Sequence, residues 1–564
     1  MGITHTVISL IDFGGMPDSG KDAAAAMRRA IDAAAKIAGP VVLTCGQGRY
    51  DFYPEHATKA KYYISNTASE AENSDVTKTV GILLQGLRNV TIDGNGSLFV
   101  FHGKQTMLVV DGCEEVEIRN LRLDYEKPTV AEMTVEGIGA GYLDAVVHRD
   151  SRYVIEDGSL TWVGEGWRFR EGPMQEYDPL TDTTWRIDNA AAAASRVEEL
   201  SPGRLRLFYD AGLMPATAAG RVFQARDGIR DQVGALIIRS RKVAWRDMGV
   251  HFMHGLGLVC QFSENVSFER MELAPRPETG RTAAAFADCI HVSGCRGLIR
   301  VADSRFAGAH DDVINVHGTY LRVAGQPAAD EVLLRYMHPQ SYGFAAFFPG
   351  DRIEFIRSGS LAAFAEAVVL EAALAEPRVM RIKLDRNVPE ELRDDDVVEN
   401  VTWTPEVEIV NNRMARIPTR GVLVTTRRRA LIEGNRFERM TMSAVLVAGD
   451  ARSWYESGKA EHLTIRGNTF IECGDADNAV ISISPETGER HYVHSYIVIE
   501  GNRFVMRHAS VLEASCTEHL TFRDNLIVHP GELQETGAAI RLFACDEVCV
   551  TNNRYVGGNS VDIK

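Results

Sequence analysis

Two stretches of this chain place carboxylates and imidazoles at matching positions. Asp288-Cys-Ile-His-Val-Ser-Gly294 superposes without a gap on Asp312-Val-Ile-Asn-Val-His-Gly318, at an offset of 24 residues. Asp311 precedes Asp312, and Arg420-Gly-Val-Leu-Val424 continues the register. If the offset is one turn of a stacked repeat, Asp288 and Asp312 lie on adjacent rungs, about 4.8 Å apart at the backbone. Arg420 then lies one rung further along the same column. Like charges held this close raise at least one pKa. A pair with separated pKa values supplies one protonated acid and one ionised base, the combination that glycoside hydrolysis uses. Neighbours on a regular strand face opposite sides. Ile314 and Val316 share the parity of Asp312 and are expected to point inward. Asp311 and Asp312 therefore reach one groove only from a bend at the start of the strand, and such a bend is predicted.

Other polar groups surround the column. His310, His317 and His291 read as partners of sugar hydroxyls or carboxylates rather than as metal ligands, because no second shell of oriented partners is recognisable. No metal and no cofactor is expected. Asn315 lies between two of these positions and is a candidate sugar contact. His251 and His254 fall on an earlier coil, and His254 is a candidate for the cleft. Trp454-Tyr-Glu456 lies in a loop beyond Arg420, where Trp454 could stack on a sugar face and Glu456 could bind its hydroxyls.

The elements that hold these residues announce themselves by repetition. An apolar run, one or two polar residues and an Asn recur as Val407-Glu-Ile-Val-Asn-Asn-Arg413, Ala430-Leu-Ile-Glu-Gly-Asn-Arg436, Leu463-Thr-Ile-Arg-Gly-Asn-Thr469, Ile497-Val-Ile-Glu-Gly-Asn-Arg503, Leu520-Thr-Phe-Arg-Asp-Asn-Leu526 and Val548-Cys-Val-Thr-Asn-Asn-Arg554. The gaps between Asn412, Asn435, Asn468, Asn502, Asn525 and Asn553 are 23, 33, 34, 23 and 28 residues. A minimum near 23 with variable additions describes one short coil whose loops can grow. The prediction is an all-β chain, a right-handed parallel β-helix. Alternating Val, Ile, Leu and Phe fill its core, and Asn and Gly stand at the turns, where left-handed backbone is tolerated. These Asn residues can also build an amide ladder. Neither a leucine-rich pattern nor a Trp-Asp propeller signature is present.

The phrase appears earlier at Val90-Thr-Ile-Asp-Gly-Asn95 and Val116-Glu-Ile-Arg-Asn120, and resumes at Val243 and Val266. Two interruptions read as inserted antiparallel β-barrel-like domains. The expected division is 1–128 for the N-terminal part of the helix, 129–240 for the first insert and 241–318 for the coils of the site. The second insert follows over 319–404, and the C-terminal coils over 405–564. An amphipathic α-helix over 22–36, with Asp18, Ser19 and Asp22 as caps, is placed to plug the open end of the stack.

Composition narrows the partners. The chain has 564 residues, with 61 Lys and Arg against 77 Asp and Glu, a formal charge of −16. That balance disfavours nucleic acid, which needs clustered basic residues. No apolar run approaches the roughly 18 residues of a membrane span, so no membrane partner is expected. The nine Cys are scattered without a C-x-x-C pair, so neither a disulfide framework nor a zinc site is indicated. The N-terminus shows no secretory leader; the chain as it stands reads as cytoplasmic, or as secreted or periplasmic with a leader removed.

At Asp12-Phe-Gly-Gly15, Tyr50-Asp-Phe-Tyr-Pro-Glu55, Tyr62-Tyr-Ile-Ser-Asn66, the Asp288 coil, His310-Asp-Asp-Val-Ile-Asn-Val-His317 and Thr419-Arg-Gly-Val-Leu-Val-Thr425, the chain resembles glycoside hydrolase family 110, the bacterial exo-α-1,3-galactosidases. The resemblance spans nearly the whole chain. It implies a β-helix with two inserted β-barrels, and an inverting, metal-independent hydrolase that removes terminal α-1,3-linked galactose. The implied substrates are blood-group-B-type or linear α-1,3-galactosides, and the implied assembly is a homodimer through the inserted domains. The catalytic set carried over is Asp288, Asp311 and Asp312, with Asp311 read as general acid and Asp288 and Asp312 as holders of the attacking water. Two other readings compete. A polygalacturonase-like inverting hydrolase would call for a cleft open at both ends and a more basic chain. A non-catalytic glycan-binding β-helix would bind without releasing reducing sugar.

Overall fold

The computed structural model describes residues 5–475, 477–508, 510–531 and 538–557. Its body is a parallel β-helix. One ladder system contains 22 strands and a second contains 13. Inward residues of both meet in one continuous apolar core that runs from Leu10 to Ile540. Phe437, Phe470 and Phe504 stack in this core on successive coils, with centroids 5.0 and 4.9 Å apart.

The repeated Asn residues form the ladder that their spacing implies. The Asn412 backbone N–H donates to Asn435 Oδ1 at 2.8 Å, and Asn412 Nδ2 donates to the same oxygen at 3.0 Å. The same pair of bonds links Asn435 to Asn468, Asn468 to Asn502, Asn502 to Asn525 and Asn525 to Asn553. The left-handed residue of each turn is the one before the ladder Asn: Asn411, Gly434, Gly467, Gly501, Asp524 and Asn552. Left-handed backbone thus explains the residue preceding each ladder position, and amide bonding explains the ladder Asn itself.

The N-terminal helix spans Ala24–Ala34. Asp22 Oδ1 accepts the Ala24 N–H at 2.9 Å. Met27, Ala30 and Ile31 are buried against the first strands, Thr6–Ser9, Val41–Thr44 and Thr77–Gln85. Both interruptions carry separate sheets. The first holds a seven-stranded antiparallel sheet and a three-stranded one, around a core that includes Trp162, Leu205 and Phe223. The second closes into a six-stranded barrel from Leu321–Ala328 to Val397–Asn400. One expected boundary moves. Ala235–Ile238, assigned above to the first insert, pairs in parallel with Thr106–Asp111 and Leu258–Gln261, so the helix resumes before residue 241. This wholly buried run carries no ladder Asn, the feature by which the other coils were recognised.

The second ladder carries the site. Ile290–Ser293 pairs with Ile314–Thr319, matching Ile290 to Ile314 and His291 to Asn315. Ile314 pairs in turn with Val422. The offset of 24 is therefore one coil, and Asp288, Asp312 and Arg420 stand in one column. The chain bends at 310–311 and again at 313, before the strand begins. Ile314 and Val316 point into the core.

Candidate active site

The bend releases Asp311 and Asp312 from strand parity, and both face one small open pocket of about 80 Å³. Asn66, Arg230, Asp288, His291, Asn315, Arg420, Leu423, Trp454 and Glu456 complete its lining. The nearest oxygens of Asp288, Asp311 and Asp312 lie within 4.8 Å of one another. Close behind Asp288 runs the Gly257 backbone, at φ +92°, where a Cβ would sit 2.1 Å from the Asp288 carbonyl oxygen. The two coils can stack this tightly only without that carbon.

Each carboxylate has its own partner. Arg420 Nε donates to Asp312 Oδ1 at 2.8 Å, and the Arg420 backbone N–H donates to the same oxygen at 3.2 Å. Arg186, on strand Thr183–Ile187 of the first insert, donates to Asp311 Oδ1 at 3.1 Å. Asp288 Oδ2 lies 2.9 Å from His291 Nδ1. Burial raises the Asp288 pKa well above the usual carboxylate range, and the charges of Asp311 and Asp312 push it the same way. Burial raises Asp312 too, but there the Arg420 charge opposes the rise. His291 is held neutral: burial, His317 and Arg230 drive its pKa well down. The three carboxylates are close enough to share a cation, and the cations beside them are guanidinium groups.

Second-rank contacts come from far apart in sequence. Glu456–Ser457 pairs antiparallel with Gly318–Thr319, which brings Glu456 to the rim. Asn66 Nδ2 donates to Glu456 Oε1 at 2.7 Å. Trp454 is 41% exposed, and its ring stacks on His338 of the barrel segment at 4.3 Å. Asp450 ties down that loop by accepting backbone N–H groups from Arg452, Ser453, Trp454 and Tyr455.

Eight of the proposed residues line the pocket: Asp288, Asp311, Asp312, Arg420, Asn315, His291, Trp454 and Glu456. His317 lies behind it, with Nε2 3.0 Å from His291 Nε2. Two expectations are corrected. His254 is fully buried away from the pocket, bonded to Thr129 at 2.7 Å and to Asp231 at 2.8 Å. His310 is buried too, near Arg226 and Arg186, outside the pocket lining. It precedes the bend, so the turn that presents Asp311 leaves it beneath. Asn66, Arg230, Leu423 and Arg186 were not singled out. Leu423 could have been, since it shares the outward column with Asn315. The other three sit on loops or on the insert, where no repeat marks them.

Fold and site together define a class: a right-handed β-helix with a carboxylate pocket on one ladder and two β-inserts beside it. Residues 131–219 match the family described as GLAA-B beta-barrel domain I, and 331–398 match GLAA-B beta-barrel domain II. Residues 397–563 match a right handed beta helix region. An alpha-1,3-galactosidase A of Bacteroides thetaiotaomicron is 43% identical over 547 residues, covering 95% of each chain. An alpha-1,3-galactosidase B of Akkermansia muciniphila is 33% identical, covering 98% of this chain and 70% of the relative. The chain belongs to this family of alpha-1,3-galactosidases, glycoside hydrolase family 110. Among solved structures, the surface adhesin PfbA of Streptococcus pneumoniae aligns at TM-score 0.46 and 12% identity, over 99% of this chain and 93% of the adhesin; so low a score carries no functional argument.

Proposed function

We propose that this protein is an exo-acting hydrolase that releases terminal α-1,3-linked galactose, from blood-group-B-type or linear α-1,3-galactosides, with inversion. The activity named for its relatives supports the substrate. One observation carries the chemistry. Asp288 faces a buried neutral imidazole, whereas Asp311 and Asp312 each face a guanidinium group. Asp288 is the group built to keep its proton, and it acts as general acid. Asp311 and Asp312 hold the attacking water and take its proton. Asp312 keeps the role expected from the sequence, whereas Asp288 and Asp311 exchange theirs, Asp311 being the acid in the sequence reading.

The step balances simply. The Asp288 proton passes to the departing glycosidic oxygen as the C1–O bond breaks. Water oxygen bonds to C1 from the opposite face, and its proton goes to the Asp311/Asp312 pair. The carboxyl oxygens lie within 4.8 Å, nearer than the roughly 6.5–9.5 Å between acid and base in inverting enzymes. Inversion therefore requires the sugar and its water to enter between Asp288 and the pair and separate them. Proton NMR of the first product tests this directly: β-galactose is expected, and initial α-galactose would make one of the pair a nucleophile instead. A panel of α-1,3-, α-1,4- and α-1,6-galactosides, with polygalacturonate as control, tests the substrate. Cleavage of the α-1,3 linkage alone is expected, and release from polygalacturonate would overturn the reading.

A homodimer through the inserts is part of the same proposal. It is supported by exposed apolar residues on both inserts: Ile138, Val146, Val154, Leu180, Leu200 and Leu213 on the first, Leu370 and Leu374 on the second.

A further inference from the structure

Asn66 is held in the pocket wall by a knot of polar contacts. It is 4% exposed and lies at φ +59°, a left-handed conformation that Asn tolerates better than most side chains. Its Oδ1 accepts from the hydroxyls of Ser341 at 2.8 Å and Ser65 at 3.0 Å, and its backbone N–H donates to Ser341 Oγ at 3.1 Å. Its Nδ2 donates to Glu456 Oε1 at 2.7 Å. The direction of the amide is fixed from both ends. Ser341 Oγ already accepts from the Asn66 N–H, so its own proton is free for Oδ1. An ionised carboxylate only accepts, so Glu456 must face Nδ2. Turned over, the amide would set one acceptor against another.

The knot joins distant parts of the chain. Ser341 belongs to the second insert, between the barrel strands Glu331–Arg335 and Arg352–Ile356. The carbonyl of its neighbour Gln340 accepts the Thr67 N–H at 3.1 Å, and Gln340 Oε1 accepts from Arg230 Nη2 at 2.6 Å. The Arg230 carbonyl in turn accepts the Ala68 N–H at 3.0 Å. On the helix side, Gln261 Oε1 accepts the Ser65 N–H at 2.8 Å. We infer that Asn66 and Ser341 are positioning residues for Glu456: the second insert orients the Asn66 amide, the amide holds Glu456 Oε1, and the other carboxylate oxygen is left to accept from hydroxyls of the sugar. This role rests on the reading of the pocket as the galactose site, and it is indifferent to which aspartate carries the catalytic proton. It makes the inserted barrel a part of substrate recognition.

Glu456 stands among charges of both signs. Arg420, Arg230, Asp288, Asp311 and Asp312 line the same pocket. His317 Nε2 lies 3.5 Å from Glu456 Oε1, and His338 and Glu486 feel its charge. A neutral amide holds the carboxylate without altering this balance. A second carboxylate in its place would alter it: two carboxyl groups in hydrogen-bond contact share one proton at low pH and repel once that proton is lost. With its proton, the Asn66→Asp side chain has the charge of the amide and donates the same bond. Without it, the side chain drives Glu456 away.

The test is galactose affinity by calorimetry at pH 4.5 and pH 7.5, with KM and kcat on an α-1,3-linked disaccharide alongside. Relative to wild type at the same pH, Asn66→Asp should bind galactose within about threefold at pH 4.5 and at least tenfold more weakly at pH 7.5, because the shared proton, with an apparent pKa raised above about 3.9, is lost between them. The disaccharide KM should follow, with kcat less affected. Asn66→Gly keeps the left-handed backbone without the amide and should weaken binding by the same factor at both pH values. Ser341→Ala should raise KM severalfold on its own and leave it unmoved in the Asn66→Gly background, because it acts through the amide. A ratio of Asn66→Asp to wild type that is equal at the two pH values, or a Ser341→Ala effect that persists undiminished without the amide, overturns the inference. A wild-type protein that binds no galactose at either pH refutes the galactose reading itself, and the positioning role falls with it.

Discussion

With 4% of its surface exposed and two more carboxylates alongside, Asp288 keeps its proton to a pH well above that of a free aspartate. The sign of the stability consequence follows. A group whose folded pKa is raised binds its proton more tightly in the folded chain than in the unfolded one. Folding is therefore least penalised below the unfolded value near 3.9, and stability falls as pH rises from there towards the folded pKa. Asparagine has no proton to lose, and its Nδ2 can donate to His291 Nδ1 as the carboxylic acid does. Asp288→Asn should match wild type in thermal midpoint at pH 4 and exceed it at pH 8, the gap opening by up to about 1.4 kcal/mol per pH unit, while galactose release from a disaccharide falls at least a thousandfold. Thermal unfolding from pH 4 to 9 reads the first effect. A variant that loses stability at every pH would mean that Asp288 serves the fold rather than the reaction.

At the scale of the coil, what repeats was legible and what crosses between coils was not. The 24-residue match between Asp288 and Asp312 placed three site residues in one column, because a parallel ladder converts sequence offset into spatial register. The inward pair Ile314 and Val316 and the bend before them followed from strand parity. Arg186, Arg230 and Asn66 reach the pocket from the first insert, the loop after it and an N-terminal loop, and such long-range contacts leave no periodic trace. His254 shows the opposite failure: a polar residue near the column in sequence is bound instead to Thr129 and Asp231. The amide ladder is the element with the clearest energetic consequence. Asn468 accepts from Asn435 N and Nδ2, and donates to Ile432 O and Asn502 Oδ1. Asn468→Ala strands the buried Asn435 N–H and leaves Asn435 Nδ2, Ile432 O and Asn502 Oδ1 each one bond short. The expected loss is about 2–4 kcal/mol by urea unfolding, since each unsatisfied buried group costs roughly 1–3 kcal/mol. Activity at moderate temperature should be unchanged, as the ladder lies outside the pocket lining.

The whole molecule works only if the second barrel stays seated on the helix, because strand Ile314–Thr319 leaves the site and runs into it. Arg427, which follows the ladder strand Val422–Val424, is the pin. Its Nη1 donates to Glu354 at 2.8 Å and its Nη2 to Glu399 at 2.6 Å, joining a helix turn to two barrel strands. Glu399 is 1% exposed; burial raises its pKa, and the Arg427 charge opposes that rise. Removing one partner of such a buried pair leaves the other charge without compensation, which costs about 3–5 kcal/mol. Arg427→Met should therefore lower unfolding stability by that order, with most of the gain in hydrogen exchange falling on residues 321–400. The barrel segment also carries His338, on which Trp454 rests at the pocket rim. The loosened enzyme should thus raise KM for a disaccharide more than it lowers kcat. Exchange that rises uniformly along the helix coils, with the barrel no more labile than the rest, would show that the two parts are held by their apolar contacts and that Arg427 only decorates the junction.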